Sequence, residues 1–219
     1  MLKIKDLFDL THTEASDYLL QYEYPWQAID GIKDFIISMI GSLDKQEYIE
    51  TNENIMIHKT AVVAPSAFIG APCIIGEKSE IRHGAFIRGS AFIGKNCVVG
   101  NSTELKNVIL FDGVQIPHYN YVGDSILGYK AHMGAGAITS NVKSDYSKVV
   151  VRNGSKCIDT GRKKCGAMIG DYAEIGCNTV LNPGTVIGRH TNIYPLSIVR
   201  GTVPENSIMK TGGIIIKKT

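Results

Sequence analysis

A six-residue period of apolar side chains runs through most of this sequence and limits the folds open to it. From Ile57 to Phe111 every sixth residue is aliphatic or aromatic, and the period resumes from Ile169 to Val199. An α-helix repeats every 3.6 residues and a simple strand every two, so neither explains a period of six. Three hexads can close a triangular turn, and stacked turns bury one column of side chains. The sequence therefore predicts a mainly β protein, a parallel β-helix over residues 57–219.

Residues 1–56 lack the period and predict an α-helical N-terminal cap. Pro25 opens a stretch that fits a helix beginning with proline in its first turn. Its apolar residues share one helical face: Trp26, Ile29, Phe35, Ile36, Met39, Ile40 and Leu43. Residues 13–21 are compatible with a second, shorter helix. Because the first coil of a solenoid exposes an apolar end, we expect a cap to cover it.

Residues 141–168 also abandon the period and predict a loop inserted into the coil. Val149–Val151, the pair Asn153-Gly154 and a short run to Ile158 predict a β-hairpin with a two-residue turn. A hairpin cannot lie inside the coil, so we expect it to project. The loop has seven basic residues against two acidic ones, a net charge of +5: Lys143, Lys148, Arg152, Lys156, Arg162, Lys163 and Lys164 against Asp145 and Asp159. A solvated surface and a phosphate-binding loop both account for this charge.

Charge and cysteine content exclude several classes of protein. The net charge of +2 is too balanced for a protein whose main partner is nucleic acid. The sequence has no apolar run long enough to span a bilayer, and its start lacks the features of a signal peptide, so we expect neither a membrane span nor secretion. None of the five cysteines forms a CxxC pair. We expect reduced, packing cysteines and a cytoplasmic protein.

Short motifs between residues 99 and 141 are more specific than the hexads. VGNSTELKN, PHYNYVGDSILG and MGAGAITSN resemble the acetyltransferase domain of the bifunctional glucosamine-1-phosphate N-acetyltransferase and UDP-N-acetylglucosamine pyrophosphorylase family. The resemblance covers about residues 57–210, apart from the loop. It implies a left-handed β-helix, a homotrimer with active sites between subunits, and acetyl-CoA as co-substrate. The family's nucleotidyltransferase domain is not expected, because residues 1–56 cannot hold one.

The resemblance also implies roles for individual residues. His118 matches the general base, and Ala135 matches a residue whose backbone amide faces the reacting acetyl carbonyl. The expected substrate contacts comprise two phosphate-binding cations and several other polar side chains: Arg88, Lys106, Tyr121, Asn141, His132 and Lys148. The expected acetyl-CoA contacts are Cys177, Pro195, Lys163 and Lys164. Proline has no N–H, so Pro195 removes one possible hydrogen bond to the donor. No metal is expected.

General chemistry agrees with these roles. Acyl transfer from a thioester to an amine needs the amine deprotonated, and a histidine with a pKa of about 6.5 is a suitable base at neutral pH. A sugar phosphate needs fixed cations. Arg88 and Lys106 are separated by three hexads, which is one full coil, so they should stack on the same edge. This expected stacking follows from the spacing of the two residues and does not depend on the resemblance.

Two functions from different classes remain open. One is acetyl-CoA-dependent N-acetylation of an amino-sugar 1-phosphate, foremost glucosamine-1-phosphate, in the synthesis of nucleotide sugars for cell-envelope precursors. The other is a non-catalytic, sugar-nucleotide-binding or trimerisation partner of a separate nucleotidyltransferase. A zinc carbonic anhydrase would need three converging histidines, two of them closely spaced, whereas more than two hexads separate His118 from His132. The sequence leaves the identity of the amino sugar and of the acyl group open.

Overall fold

The computed structural model describes residues 1–218, and Thr219, the last residue of the predicted β-helix region, lies outside them. The helices are α1 (Ile4–Leu7), α2 (Ser16–Leu19) and α3 (Ile32–Ile40), with 3-10 segments at Leu10–His12 and Pro25–Gly31. The strands are β1 (Tyr48–Asn52), β2 (Ile55–His58), β3 (Val62–Val63), β4 (Phe68–Ile69), β5 (Cys73–Ile75), β6 (Glu80–Ile81), β7 (Phe86–Ile87), β8 (Ala91–Ile93), β9 (Val98–Asn101), β10 (Glu104–Leu110), β11 (Gln115–His118), β12 (Tyr121–Leu127), β13 (His132–Met133), β14 (Ile138–Thr139), β15 (Val150–Asn153), β16 (Lys156–Asp159), β17 (Ala167–Ile169), β18 (Glu174–Ile175), β19 (Val180–Leu181), β20 (Thr185–Ile187), β21 (Asn192–Ile193), β22 (Ile198–Val199), β23 (Thr202–Val203), β24 (Ser207–Met209) and β25 (Ile215–Lys217). None of the helices described here is long and apolar enough to cross a bilayer.

The strands stack in parallel on three faces of a coil. Face one contains β2, β5, β8, the second halves of β10 and β12, β17, β20 and β23. Face two contains β3, β6, β9, β11, β13, β18, β21 and β24. Face three contains β4, β7, the first halves of β10 and β12, β14, β19 and β22. This is the predicted left-handed parallel β-helix.

One column of aliphatic side chains fixes the register of successive coils. On face one Ile75 pairs with Ile93, Ile93 with Leu110 and Leu110 with Leu127, and all four side chains are buried. The coils that start at Ile93 and at Leu110 are each one residue shorter than three hexads, yet an apolar side chain still points inward. Leu127 then pairs directly with Ile169, so the intervening loop is an insertion.

The inserted loop contains the predicted hairpin. β15 and β16 are antiparallel, and because Asn153 pairs with Lys156, the turn is Gly154-Ser155, one residue later than expected. The hairpin is anchored at its base rather than fully free. Val149 and Val151 are buried, and the hydroxyl of Thr202 in β23 donates to the carbonyl of Arg152 at 2.7 Å.

Face one is buried on its outer side as well as its inner side. Its outward side chains are apolar and almost fully inaccessible: Met56, Ile74, Phe92, Ile109, Ile126, Met168 and Val186. Helix α3 lies over β5, β8 and β10, with the rings of Phe35 and Phe92 5.6 Å apart in a T-shaped contact, and the 3-10 segment Pro25–Gly31 lies over β12. The helical segment therefore runs along the side of the coil, where it covers outward apolar side chains of face one. The first coil's edge is instead covered by β1, which pairs antiparallel with β2.

Truncation of Phe92 tests this arrangement. We expect Phe92→Ala to lower the free energy of unfolding by about 3–5 kcal/mol, because it opens a cavity between α3 and face one. Ile37→Ala, at an exposed position of the same helix, is the matched control and should change stability little. Denaturant titration measures both, and equal losses from the two variants would contradict the proposed packing of α3.

Candidate active site

Face three is bounded by two corners, each carrying a column of residues from successive coils. The pairs Asn101–His118, Met133–Ile175 and Ile175–Ile193 set the register of the first column. This column, the His118 corner, contains Asn101, His118, Ala135, Cys177 and Pro195. The second column, the Lys106 corner, follows the residues paired along face three and contains Arg88, Lys106, Gly123, Ser140, Asn182 and Arg200. Arg88 and Lys106 thus stack one coil apart, as their spacing predicts.

A buried carboxylate organises the Lys106 corner. Asp124, only 2% exposed, accepts hydrogen bonds from Lys106 Nζ at 3.2 Å, from Asn107 Nδ2 at 2.9 Å and from Asn141 Nδ2 at 2.6 Å. Asn141 Nδ2 also donates to the hydroxyl oxygen of Tyr121 at 3.1 Å. Three of the expected substrate residues therefore belong to one hydrogen-bonded group. A buried charge is tolerated because it is both paired and hydrogen-bonded.

Arg88 and Tyr121, at the edge of this hydrogen-bonded group, are more accessible to solvent than Asp124. Arg88 Nη1 lies 2.8 Å from a carboxylate oxygen of Glu104, and this hydrogen bond raises the pKa of the Arg88 guanidinium further. Burial, followed by the negative charge of Asp124, raises the pKa of Tyr121, so its phenol stays protonated at neutral pH. Gly123 leaves room for this arrangement, since a Cβ there would lie 2.4 Å from the Tyr121 hydroxyl.

The N-terminal segment supports the Lys106 corner from outside the coil. Asn107 Nδ2 donates to the carbonyl of Ile29 at 3.2 Å as well as to Asp124. Arg162 of the inserted loop forms an ion pair with Asp30. The 3-10 segment Pro25–Gly31 thus links the loop to the coil beside the site.

The His118 corner is held by one buried amide side chain. The backbone N–H of His118 donates to Asn120 Oδ1 at 3.0 Å, while Asn120 Nδ2 donates to the carbonyls of Gly134 and Ala137 at 2.8 and 2.9 Å. These bonds tie the exposed His118 to the turn that carries Ala135. Within the described residues, the backbone N–H of Ala135 has no acceptor, so it remains available to a ligand.

The other expected residues lie at three places. Cys177 and Pro195 are exposed on the His118 corner. His132 lies on face two, where its Nδ1 is 2.8 Å from a carboxylate oxygen of Glu174. The three expected loop lysines, Lys148, Lys163 and Lys164, are exposed. Lys164 adjoins Cys165, whose N–H donates to the carbonyl of Asn141, so this part of the loop lies beside the Lys106 corner rather than near Cys177.

Asp124, Asn107 and Asn120 were not assigned from the sequence. Asp124 belongs to the motif VGDSI, but one sequence does not show whether an aspartate is buried and paired. Asn120 lies two positions after His118, and its contacts span two coils. No group of three or more His, Cys, Asp or Glu side chains within residues 1–218 is arranged to hold a metal ion.

Comparison with known proteins tests the resemblance. Residues 72–158 match a family described as "GMPPB C-terminal domain". The bifunctional sugar-1-phosphate nucleotidylyltransferase/acetyltransferase of Sulfurisphaera tokodaii is 30% identical over 90% of this chain and 50% of its own length. The bifunctional protein GlmU of Methanococcus maripaludis strain C5 is 29% identical over 99% of this chain and 53% of its own length. The chain spans about half the length of the curated relatives it matches.

These matches identify the kind of protein that the chain is similar to. The chain resembles the acetyltransferase domain of bifunctional sugar-1-phosphate enzymes. This confirms the resemblance stated from the motifs, and the relatives' names agree with the expected enzyme class, an acyltransferase. Among solved structures, the polySia-specific acetyltransferase NeuO is 16% identical with a TM-score of 0.48, covering 72% of this chain and 82% of its own.

The buried carboxylate gives a prediction about stability. Asp124→Ala should lower the free energy of unfolding by about 3–5 kcal/mol, because Lys106 would lose its buried counter-charge. Glu104→Ala removes the accessible partner of Arg88 and should have an effect close to zero. Denaturant titration compares the two variants. A loss for Asp124→Ala no larger than that for Glu104→Ala would show that Asp124 does not organise the corner.

The cysteines give a second prediction. Burial raises the pKa of Cys73, Cys97 and Cys165 to about 12, so their thiols should not react with a disulfide reagent at pH 8 in the folded protein. Cys157 and Cys177 are exposed and should react. Thiol titration with and without denaturant should give two fast thiols in the folded chain and five after unfolding. Fast reaction of all five in the folded protein would contradict the packing.

Proposed function

We propose that this protein transfers the acetyl group of acetyl-CoA to the amine of an amino-sugar 1-phosphate, foremost glucosamine-1-phosphate. The proposal rests on one observation: the two corners of face three present different chemical groups. One corner has the solvent-accessible His118 beside the backbone N–H of Ala135, which has no acceptor among residues 1–218. The other has two stacked cations within a polar network. The product would serve the synthesis of nucleotide sugars such as UDP-N-acetylglucosamine for cell-envelope precursors.

The proposed acceptor site lies at the Lys106 corner. Arg88 and Lys106 bind the phosphate, since a fixed guanidinium and ammonium suit a doubly charged oxyanion. Tyr121 and Asn141 bind sugar hydroxyls through their donor and acceptor atoms that do not contact Asp124.

The two corners are five positions apart in one coil, as Asn101 and Lys106 are, which is at most about 17 Å of extended backbone. The side chains of His118 and Lys106 point toward a sugar phosphate from opposite ends of this span. We also assign Lys148 of the inserted loop to the acceptor's surroundings. His132 lies on face two beside Glu174, away from the Lys106 corner of the same subunit.

The proposed reaction is a direct acyl transfer. His118 accepts a proton from the amine as its nitrogen attacks the thioester carbonyl. The backbone N–H of Ala135 donates to the oxyanion that develops on this carbonyl, and the C–S bond then breaks to release coenzyme A. A general base and an oxyanion donor each contribute about 10²–10³-fold or more. We assign Cys177 and Pro195 to binding of acetyl-CoA. Lys163 and Lys164 lie beside the other corner of the same subunit, so we do not assign them to this donor site.

We further propose that the protein works as a homotrimer. Face three exposes large apolar side chains at two places. Phe68 and Phe86 are 59% and 42% exposed in successive coils, and Ile198 is 74% exposed near the other end of the coil. Exposed apolar side chains on one face favour an interface over free solvation. Residues 1–56 are proposed as the cap domain and residues 57–219 as the catalytic β-helix.

The catalytic assignment is tested by thiol release from acetyl-CoA in the presence of glucosamine-1-phosphate. His118→Ala should lower the rate by about 10²–10⁴-fold without a change in thermal stability. His190→Ala is the control, because His190 is exposed at the corner between faces one and two, where its ring stacks on that of Tyr172. Equal rates for the two variants would rule out His118 as the base. No release by wild type, with binding of a sugar nucleotide, would favour a non-catalytic partner.

Donor binding is tested by protection of Cys177 from alkylation. Acetyl-CoA should slow the reaction of Cys177 and leave Cys157, the other exposed thiol, unaffected. Peptide mass spectrometry after brief alkylation distinguishes the two cysteines. Protection of neither, at acetyl-CoA concentrations that support turnover, would exclude the His118 corner as the donor site.

A further inference from the structure

A pocket of about 430 Å³ lies between the inserted loop and the Lys106 corner, and the proposed acetyl transfer does not use it. Its polar lining comes from two parts of the chain. The loop contributes Lys143, Asp145 and Arg152, and the coil contributes Ser140, Asn182 and Arg200. We call this the loop pocket. Its volume lies within the range of about 300–1,000 Å³ that is typical of small-molecule sites.

The wall of the loop pocket is fixed by contact between the hairpin and the coil. The Thr202 hydroxyl donates to the carbonyl of Arg152, and this carbonyl lies 3.1 Å from where a Cβ of Gly201 would be. Gly201 has a φ of +81°, a conformation that favours glycine. The hairpin backbone thus approaches the coil closely, and the base of Arg152 is held at a defined position opposite Arg200.

The loop pocket has an excess of positive charge. Three cationic side chains line it against the single carboxylate of Asp145, and that carboxylate is already 3.4 Å from Lys143 Nζ. In the described part of the chain, neither Arg152 nor Arg200 has a carboxylate within 4 Å. Arg152 Nη1 is 3.4 Å from Cys157 Sγ, which is only a weak acceptor. Two arginines that line one pocket without a carboxylate partner favour an anion, and phosphate matches the planar donor geometry of a guanidinium group.

Other lining residues suit the rest of a nucleotide. The hydroxyl of Ser140 and the carboxamide of Asn182 can hydrogen-bond sugar hydroxyls, as can the carboxylate of Asp145. Val150 and Pro183 add apolar surface on which a base can pack. We propose that the loop pocket binds a nucleotide, with Arg152 and Arg200 on its phosphate.

The loop pocket is distinct from the proposed acceptor site, although the two adjoin. On the Lys106 corner, Ser140 lies two coils from Lys106 and Arg200 lies four coils from it, or about 10 and 19 Å at roughly 4.8 Å per coil. A sugar 1-phosphate bound at Lys106 therefore leaves the pocket free. The nucleotide could come from the 3′-phosphorylated adenosine of coenzyme A or from the diphosphate end of a nucleotide sugar.

Titration calorimetry at low ionic strength tests the proposal with three probes: inorganic phosphate, UDP and adenosine 3′,5′-bisphosphate. At least one nucleotide should bind more tightly than phosphate. Arg152→Gln and Arg200→Gln should each weaken its binding roughly tenfold or more, since each removes a charged hydrogen-bond donor. Arg82→Gln is the control, because Arg82 pairs with Glu80 on a distant coil, and it should bind like wild type.

The outcomes separate the two sources. Tighter binding of UDP assigns the pocket to a nucleotide sugar, and tighter binding of adenosine 3′,5′-bisphosphate assigns it to coenzyme A. Binding of neither nucleotide, or binding that both arginine variants retain in full, would overturn the proposal. So would phosphate binding that no nucleoside strengthens. Because the assay contains no acetyl donor or acceptor, its result does not depend on the proposed acetyl transfer.

Discussion

The parallel register of the coils determines where every functional side chain lies. The ladder hydrogen bonds and the inward aliphatic column hold each residue directly over its counterpart one coil away, as with Ile75, Ile93 and Leu110. A slip of one residue would turn the inward side chains outward, so the apolar column strongly disfavours other registers. The stacking of Arg88 on Lys106, and of His118 below Ala135, follows from this constraint. The positions of the site's polar residues thus depend on the packing of the apolar core.

At the Lys106 corner, a network of polar side chains is added to this scaffold. The buried carboxylate of Asp124 joins Lys106, Asn107 and Asn141, and Asn107 connects the same group to the carbonyl of Ile29. The N-terminal segment therefore does more than cover apolar surface, because it also contacts the polar network of the proposed acceptor site. The inserted loop reaches the same segment through the ion pair between Arg162 and Asp30. Coil, N-terminal segment and loop meet at this corner.

Much of this organisation could be predicted from the sequence, because a period of six has few structural solutions. The β-helix, the hairpin and the common edge of Arg88 and Lys106 all follow from counting residues. The position of the helical segment does not follow from our reading of the sequence, although a signal is present: the outward residues of face one, such as Met56, Ile74 and Phe92, are apolar in seven successive coils. Asp124 and Asn120 could not be found in this way. Their roles come from contacts between coils, which sequence spacing shows only after the register is known.

We propose that the two corners of face three bind the two reacting substrates, the sugar phosphate at the Lys106 corner and acetyl-CoA at the His118 corner. A crystal structure with coenzyme A and glucosamine-1-phosphate tests it most directly. We expect the phosphate to lie within hydrogen-bonding distance of Arg88 and Lys106, with the sugar amine facing the imidazole of His118 and the thiol of coenzyme A near Ala135. A sugar phosphate bound away from Arg88 and Lys106, or an amine remote from every His118 imidazole in the assembly, would contradict it.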